Sequence, residues 1–515
     1  MKLVTVAQMR AIEKEADANG LSYVAMMENA GRGLAEIINE ISLDDHWEDV
    51  LGLVGPGNNG GDTLIALTHL AEEGWHARAY VVRRKANDEL IARLVDAGGE
   101  ITFAESDQDF SALGMCFESA DILLDGLLGT GIKLPLKQEV SSVLEQSLFI
   151  MSEMQERPYI IAVDCPSGVD CDSGEAALEC LPAQLTITMA AAKSGLLKLP
   201  AFEFVGDLVV VDIGLPDDLQ LFIELKTDVA DHDLVAGLLP ERKLDSHKGT
   251  FGTALIVAGS LNYTGAALLA GTAAYRVGAG LVTLAVPEPL HTVLAGQLPE
   301  ATWILLPHEA GFISEKAADI LLNNLQRTTA LLVGPGLGGL LSTRNLIESI
   351  VCSVKLPMVV DADGLRHLSQ IKDWHKKLFP QAVLTPHVGE MSALTGLSKE
   401  DIQSNRNEIA SKYAKEWGHV VILKGAFTVI ASPDGQATII PVASPALARA
   451  GTGDVLAGLI VGLRAQGLDA YDAAVAGAYI HAQAGLLAAD DLGTTASVLA
   501  SDILNSVAGI LSELE

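Results

Sequence analysis

Short apolar runs recur along this chain, each closing on a glycine- or carboxylate-rich turn and followed by a segment of helical length. Asp49-Val-Leu-Gly-Leu-Val-Gly55 leads into Asn58-Asn-Gly-Gly-Asp62 and then a helical stretch from Thr63 to Glu73. Further strands are predicted at 76–82, 121–125 and 159–164, the last two ending in Asp. A strand–loop–helix rhythm of this kind folds into a mainly parallel sheet covered by helices, and such sheets bind ligands at the strand C-terminal ends. Residues 5 to about 39 read as one helix. The rhythm breaks after Leu208-Val-Val-Val-Asp212, where 213 to about 245 shows no strand pairing. A second series then opens at Lys248-Gly-Thr-Phe-Gly, with strands near 281–286, 330–334, 357–361, 382–385 and 420–424.

A chain of 515 residues exceeds one ordinary core, so an α/β protein of two domains is expected: 1–216 and 235–515, joined by a linker at 217–234. The net charge of −32 argues against bulk attraction to nucleic acid or to an anionic membrane. The five cysteines (116, 165, 171, 180 and 352) show no metal spacing, and their odd number fits reduced thiols. No leader-like start or membrane-length apolar stretch is visible, so a cytoplasmic protein is expected.

Three loops in the first half share one grammar. Gly55-Pro-Gly-Asn-Asn-Gly-Gly-Asp62 lies between a strand and a helix, the setting of a phosphate or dinucleotide cradle. Asp125-Gly-Leu-Leu-Gly129-Thr130-Gly131 and Asp164-Cys-Pro-Ser167-Gly168 repeat the arrangement. One strand-end Asp is more often a helix cap than a catalyst, but three such loops in one sheet converge on one rim. Asn59, Asp125 and Ser167 offer oxygen donors only, which suits a hard cation and not zinc. This set resembles the NAD(P)HX epimerase family, the YjeF N-terminal domain, over roughly residues 1–215. The resemblance implies a Rossmann-like fold in which Asn58, Asn59, Gly60, Gly61 and Asp62 bind the hydrated dinucleotide. Gly129, Thr130, Gly131, Ile132, Lys133, Leu134 and Pro135 would join them. It further implies potassium on Asn59, Asp125 and Ser167, and Asp164 as acid/base against the damaged nicotinamide. Thr63 stands where the family usually has Gly, adding a side chain beside the cradle.

In the second half, Ala450-Gly451-Thr452-Gly453-Asp454 runs directly into the apolar stretch Val-Leu-Ala-Gly-Leu. Backbone N–H groups at such a helix start form an anion site, and Asp454 is placed to take a proton from an attacking hydroxyl. The turn therefore points to phosphoryl transfer. Taken singly, His387 reads as a hydrogen-bonded loop histidine, Lys424 as a solvated lysine, and Asp361 and Asp363 as helix caps. The Ala-rich helices after Asp454, with Tyr479 and His481, read as core. The ordered set His247-Lys-Gly-Thr-Phe-Gly, Gly334-Pro-Gly-Leu-Gly338, Thr385-Pro-His387-Val-Gly-Glu390, Lys424-Gly425-Ala426-Phe427-Thr428 and Ala-Gly-Thr-Gly-Asp resembles the ADP/ATP-dependent NAD(P)HX dehydratase family over roughly 235–515. This implies a ribokinase-like fold, with Ala266, Gly338, His387 and Asp454 facing the hydrated dinucleotide. Lys424, Gly425, Ala426, Phe427, Thr428 and Gly453 would hold the adenine nucleotide, and Phe427 is bulkier than the small residue often found there.

Together the resemblances imply nicotinamide-nucleotide repair, with NADHX and NADPHX as substrates, ADP or ATP as phosphoryl donor, magnesium on the nucleotide, and a homo-oligomer. The fused architecture favours ADP. Two rivals stand beside this reading. One is a small-metabolite kinase, which shares the Gly-Thr-Gly-Asp turn but releases a stable phosphorylated product. The other is a non-enzymatic binding or regulatory role for the first half.

Overall fold

The computed structural model describes residues 1–43 and 45–515. The chain divides into two compact units, Met1–Leu225 and Lys226–Glu515. That division cuts through the expected linker at 217–234, which is folded into both units. The short helix Gln220–Ile223 belongs to the first, where the N–H groups of Gln220 and Leu221 donate to the Glu15 carboxylate. Thr227–Val229 is an edge strand of the second, paired in parallel with Ala437–Ile439. Its partner lies some 200 residues away, so no local pattern announces the pairing.

In the first unit seven parallel strands form one sheet: β1 (Asp49–Val54), β2 (His76–Val81), β3 (Glu100–Phe103), β4 (Ile122–Gly126), β5 (Tyr159–Val163), β6 (Leu185–Met189) and β7 (Asp207–Val211), in the order β3-β2-β1-β4-β5-β6-β7. Val50 and Val54 pack into the core on one face of β1, and Leu51 and Leu53 into the core on the other. Burial on both faces explains the continuous apolar run read from the sequence. The strand order reverses between β1 and β4, so the loops leaving their C-terminal ends part there and open a crevice. Pairing of Val54 with Gly126 and of Asp125 with Ala162 brings the loops after β1, β4 and β5 to one rim.

The single helix expected over 5–39 is two: α1 (Val6–Ala18) and α2 (Tyr23–Ser42). Thr5 and Gln8 form a capping box that starts α1. Gly20 takes φ +105°, a conformation side chains disfavour, and the Ser22 hydroxyl then caps α2 by accepting from Ala25 N–H at 3.2 Å. Helix α3 (Asn58–Glu72) follows β1 directly.

The second unit holds a ten-stranded sheet. Its strands are β8 (Thr227–Val229), β9 (Thr253–Val257), β10 (Leu281–Pro287), β11 (Thr302–Leu306), β12 (Ala330–Val333), β13 (Met358–Val360), β14 (Val383–Leu384), β15 (Val420–Leu423), β16 (Val429–Ala431) and β17 (Ala437–Ile439). The order is β8-β17-β16-β15-β14-β13-β12-β9-β10-β11, parallel except where β16 pairs with β15 and β17. Here the reversal falls between β9 and β12. The loops that flank it carry Ser260 to Gly265 on one side and Gly334 to Gly338 on the other. Helix α4 (Thr264–Arg276) packs on α6 (Thr452–Ala465); α5 (Val388–Thr395) lies between them in the chain and α7 (Ala470–Leu492) follows. A Cβ on Gly458 would stand 2.3 Å from the Ala270 carbonyl oxygen, and one on Gly462 2.8 Å from that of Ala274. These two glycines let the α6 backbone lie against α4. The buried alanine faces of α4 and α7 accord with the expected core role, and Tyr479 and His481 are buried among them.

Candidate functional site

In the first unit the crevice is a cavity of about 700 Å³. One wall is a single face of α1, where Val6, Met9, Arg10 and Glu13 recur at the helical interval. Tyr23, Val24 and Met27 of α2 line another, which accounts for two large apolar side chains left exposed there. The floor is Asn58, Asn59 and Asp62 of α3, residues 127–132, Asp164 and Lys193.

Asp164 follows β5 with φ +65°, a strained setting for a non-glycine residue. Its Oδ1 accepts from Thr188 Oγ1 at 3.2 Å, from Met189 N–H at 3.1 Å and from Lys193 Nζ. Lys193 is 0% exposed, and its other protons go to Thr188 Oγ1 at 2.9 Å and the Met189 carbonyl at 3.0 Å. Burying an ammonium is costly unless it is paired and hydrogen-bonded, and the Asp164 carboxylate with Thr188 and the Met189 carbonyl supply those partners to Lys193. Asp62 and Glu13 line the same cavity without such a partner. Burial, then the charge of Asp164, pushes both of their carboxyls upward, Asp62 strongly. One cavity thus holds a lysine-paired carboxylate beside two carboxyls that burial pushes upward.

Beneath the rim, Asn59, Asp125 and Ser167 do meet. Asn59 Nδ2 donates to the carbonyls of Leu128 at 2.8 Å and Val163 at 2.6 Å. Ser167 N–H donates to Asp125 Oδ2 at 2.8 Å, and Ser167 Oγ accepts from Leu128 N–H at 2.9 Å. Asp125 is wholly buried, its Oδ1 has no hydrogen-bond partner, and burial raises its carboxyl. An orphaned carboxylate oxygen among amide, hydroxyl and carbonyl oxygens fits a hard cation.

Several expected contacts are placed differently. Lys133, Leu134 and Pro135 lie outside the cavity lining, which stops at Ile132. Gly60 and Gly61 do not line it either. A Cβ on Gly60 would meet the Gly55 carbonyl oxygen at 2.1 Å and one on Gly61 the Met27 sulfur at 2.8 Å, so both are packing glycines. Thr63 does not crowd the cradle. Its hydroxyl donates back to the Asn59 carbonyl at 2.8 Å, and its side chain fills a slot left over the sheet by Gly52 and Gly126.

In the second unit the network gathers around Asp361, the residue after β13. Asp361 is 1% exposed, and its Oδ1 accepts from Thr385 Oγ1 and from Lys424 Nζ, both at 2.6 Å. Asp363 Oδ2 accepts from Gly338 N–H at 2.8 Å, so neither carboxylate caps the following helix through its side chain. Lys424 is not solvated. Burial lowers its ammonium, but Asp361 and Glu390, the latter 3.9 Å away, outweigh that and hold it raised. Gly451 opens α6 at φ +91°, where a Cβ would also press on Leu269. A Cβ on the next glycine, Gly453, would stand 3.6 Å from Lys424 Nζ. Asp454 is largely buried in the first turn of α6. Burial and the nearby Asp361 push its carboxyl up to about 7, against the pull of Lys424.

His387 is a helix cap. Its Nδ1 accepts from Gly389 N–H at 2.9 Å and Glu390 N–H at 3.2 Å, while Glu390 Oε2 accepts from His387 N–H. Such a ring is neutral, with its proton on Nε2, and burial lowers its pKa accordingly. Ala266 lies beside Gly336 across the reversal point from Gly338. Thr428 Oγ1 closes the 425–428 turn by donating to the Gly425 carbonyl at 2.9 Å, and Phe427 sits at φ +53°.

Lys193 and Glu13 belong to no motif visible in the sequence, Glu390 appears there only as a motif letter, and Asp361 reads there as a cap. Lys193 stands in Ala190-Ala-Ala-Lys with no glycine signature, and only the sheet brings it to Asp164. Glu13 could have been found from its spacing with Met9 and Arg10 on one helical face.

The fold and the two sites define an α/β enzyme class that pairs a dinucleotide-type crevice with a phosphoryl-transfer turn. A family profile described as YjeF-related protein N-terminus matches residues 24–195, and one described as NAD(P)H-hydrate dehydratase matches 254–507. The chain is 36% identical to the bifunctional NAD(P)H-hydrate repair enzyme Nnr of Moorella thermoacetica, covering 100% of this chain and 97% of that one. Against the protein of the same name from Thermofilum pendens the identity is 34%, over 96% and 93% of the two chains. The chain therefore belongs to the family of bifunctional NAD(P)H-hydrate repair enzymes. Among solved structures, the ADP/ATP-dependent NAD(P)H-hydrate dehydratase from Bacillus subtilis, co-crystallized with ATP/Mg2+, is similar to it. That likeness has 34% identity and a TM-score of 0.50, covering 56% of this chain and 99% of that one. Among the described residues no helix is long and apolar enough to cross a membrane, and the five cysteines are free.

Proposed function

We propose that this chain repairs hydrated NADH and NADPH in two reactions. The first unit interconverts the R and S epimers at C6 of the nicotinamide ring, and the second removes water from the S epimer using ADP or ATP. The observation that carries the reading is the setting of Asp454, a raised carboxyl in the first turn of α6 beside the Asp361–Lys424 pair.

Asp454 accepts the proton of the C6 hydroxyl as that oxygen attacks the terminal phosphorus of the nucleotide. The phosphorus–oxygen bond to the rest of the nucleotide breaks, and the N–H groups at the head of α6 with Lys424 stabilise the charge. The C6–oxygen bond then breaks with phosphate leaving, and loss of a C5 proton restores the ring double bond. Phosphate leaves where hydroxide would not, so phosphorylation serves elimination. Magnesium on the nucleotide would supply further positive charge, and the oxygen donors of Asp361 and Glu390, both beside Lys424, suit a hard cation. Gly425 to Thr428 hold the adenine nucleotide, while Ala266 and Gly338 border the dinucleotide.

In the first unit Asp164, positioned by Lys193, acts on the C6 hydroxyl region, with Asn58, Asn59, Asp62 and residues 129–132 around the dinucleotide. Potassium on Asn59, Asp125 and Ser167 would neutralise Asp125 and tie together the loops after β1, β4 and β5. ADP is favoured over ATP on the fused architecture alone.

Separated R- and S-NADHX supplied with ADP or ATP test the reading through recovery of NADH absorbance. Consumption of both epimers is expected. Consumption of S alone would leave the first unit without its role, and a stable phosphorylated product in place of free phosphate would favour a kinase.

A further inference from the structure

The cavity of the first unit is rich in carboxyl groups where the substrate is anionic. Besides Tyr23, its titratable lining comprises Glu13, Asp62 and Asp164 with Arg10 and Lys193, in a chain of net charge −32. A dinucleotide brings a doubly charged pyrophosphate into this space, so some cation must be free to meet it. Lys193 is not. All three of its ammonium protons are committed, to Asp164, Thr188 and Met189. Arg84, behind the cradle, is committed too, to Asp88 and to the carbonyls of Gly55 and Gly57.

Arg10 is different. It lines the cavity from α1, and among the described residues no carboxylate stands within ion-pair distance of it and no hydrogen bond engages its guanidinium. The 129–131 loop runs from the α3 head to this guanidinium. A Cβ on Gly129 would stand 3.2 Å from the Asn59 side chain, and one on Gly131 3.7 Å from Arg10 Nη2. Helix α3 begins at Gly57 with no side-chain cap, so its first N–H groups also point to a ligand in the cavity. An anion bridging these groups has amides on one side and a planar, permanently charged fork on the other, the fork being suited to two phosphate oxygens at once.

We propose that Arg10 is the residue that fixes the substrate's pyrophosphate in the first unit, so that this unit selects phosphorylated dinucleotides by charge. The assignment rests on the epimerase reading of that cavity. Arg10 touches only the non-reacting part of the substrate, so its loss removes binding energy common to ground and transition states.

Epimer exchange followed without adenine nucleotide keeps the second unit silent. In Arg10→Gln the KM for NADHX should rise about ten- to a hundredfold with kcat held, and Arg10→Lys should recover part of the loss. Hydrated reduced nicotinamide riboside, which carries no phosphate, should be exchanged with the same kcat/KM by wild type and Arg10→Gln. Dehydration of S-NADHX with ADP should be unchanged in the variant, and unchanged riboside exchange establishes that its first unit is folded. A KM for NADHX within twofold of wild type, or an equal loss on the riboside, would overturn the role of Arg10 while leaving the epimerase reading intact. A wild type that exchanges neither substrate would remove that reading, and the assignment with it.

Discussion

Asp454 carries its consequence in a pH profile. Its carboxyl is raised to about 7 because it is buried beside Asp361. A base works only when ionised, so dehydration should be slow below that value and should rise as the proton is lost. kcat/KM for S-NADHX is expected to climb about tenfold per pH unit below 7 and level off above 8, a slope of one proton. Asp454→Asn should remove both the limb and the turnover while nucleotide binding survives. A flat profile between pH 6 and 8 would count against the role of this carboxylate. In the first unit, buried Lys193 fixes the Asp164 carboxylate in place through its hydrogen bonds to Asp164, Thr188 and the Met189 carbonyl.

At the scale of elements, α3 and its sheet share a fitted joint. Thr63 lies over Gly126, where a Cβ would stand 1.9 Å from Thr63 Oγ1. Gly126→Ala should therefore destabilise the first unit by about 1–3 kcal/mol through overpacking. Thr63→Gly alone should cost about 1 kcal/mol of helix propensity. Combined with Gly126→Ala it should cost less than the sum of the two, because the clash is gone. Thermal or denaturant unfolding of the four chains measures the coupling, and strict additivity would show that the two residues do not meet. The same joint explains why a threonine at a glycine position leaves the cradle open.

The whole molecule joins two reactions that need only a diffusible substrate between them. Asp164→Asn should leave R-NADHX unrepaired while S-NADHX is consumed with ADP. Asp454→Asn should exchange epimers yet return no NADH from either. Mixing the two variants should restore NADH recovery from the R epimer, since each supplies the activity the other lacks. Failure of the mixture, with each single activity intact, would mean that the intermediate does not pass through solution. That experiment reads both active sites in full chains.

The sequence by itself determined the class of fold and the stations of both sites. Parallel strands buried on both faces appear as unbroken apolar runs, and the turns that end them must carry Gly, Asp or Asn, so β1, β4, β5, β13 and the head of α6 were legible locally. Other features were not. The break at Gly20 and the edge strand Thr227–Val229 depend on a left-handed residue and a pairing partner some 200 residues distant. The residues that set the chemistry, Lys193 against Asp164 and Asp361 against Lys424, come from separate loops and are joined only by strand order. Their charge states follow from burial and from the partner in contact, which are properties of the folded space and not of neighbouring letters. Tertiary structure alone also decided that His387 caps a helix, that Gly60 and Gly61 serve packing, and that Arg10 lines the cavity.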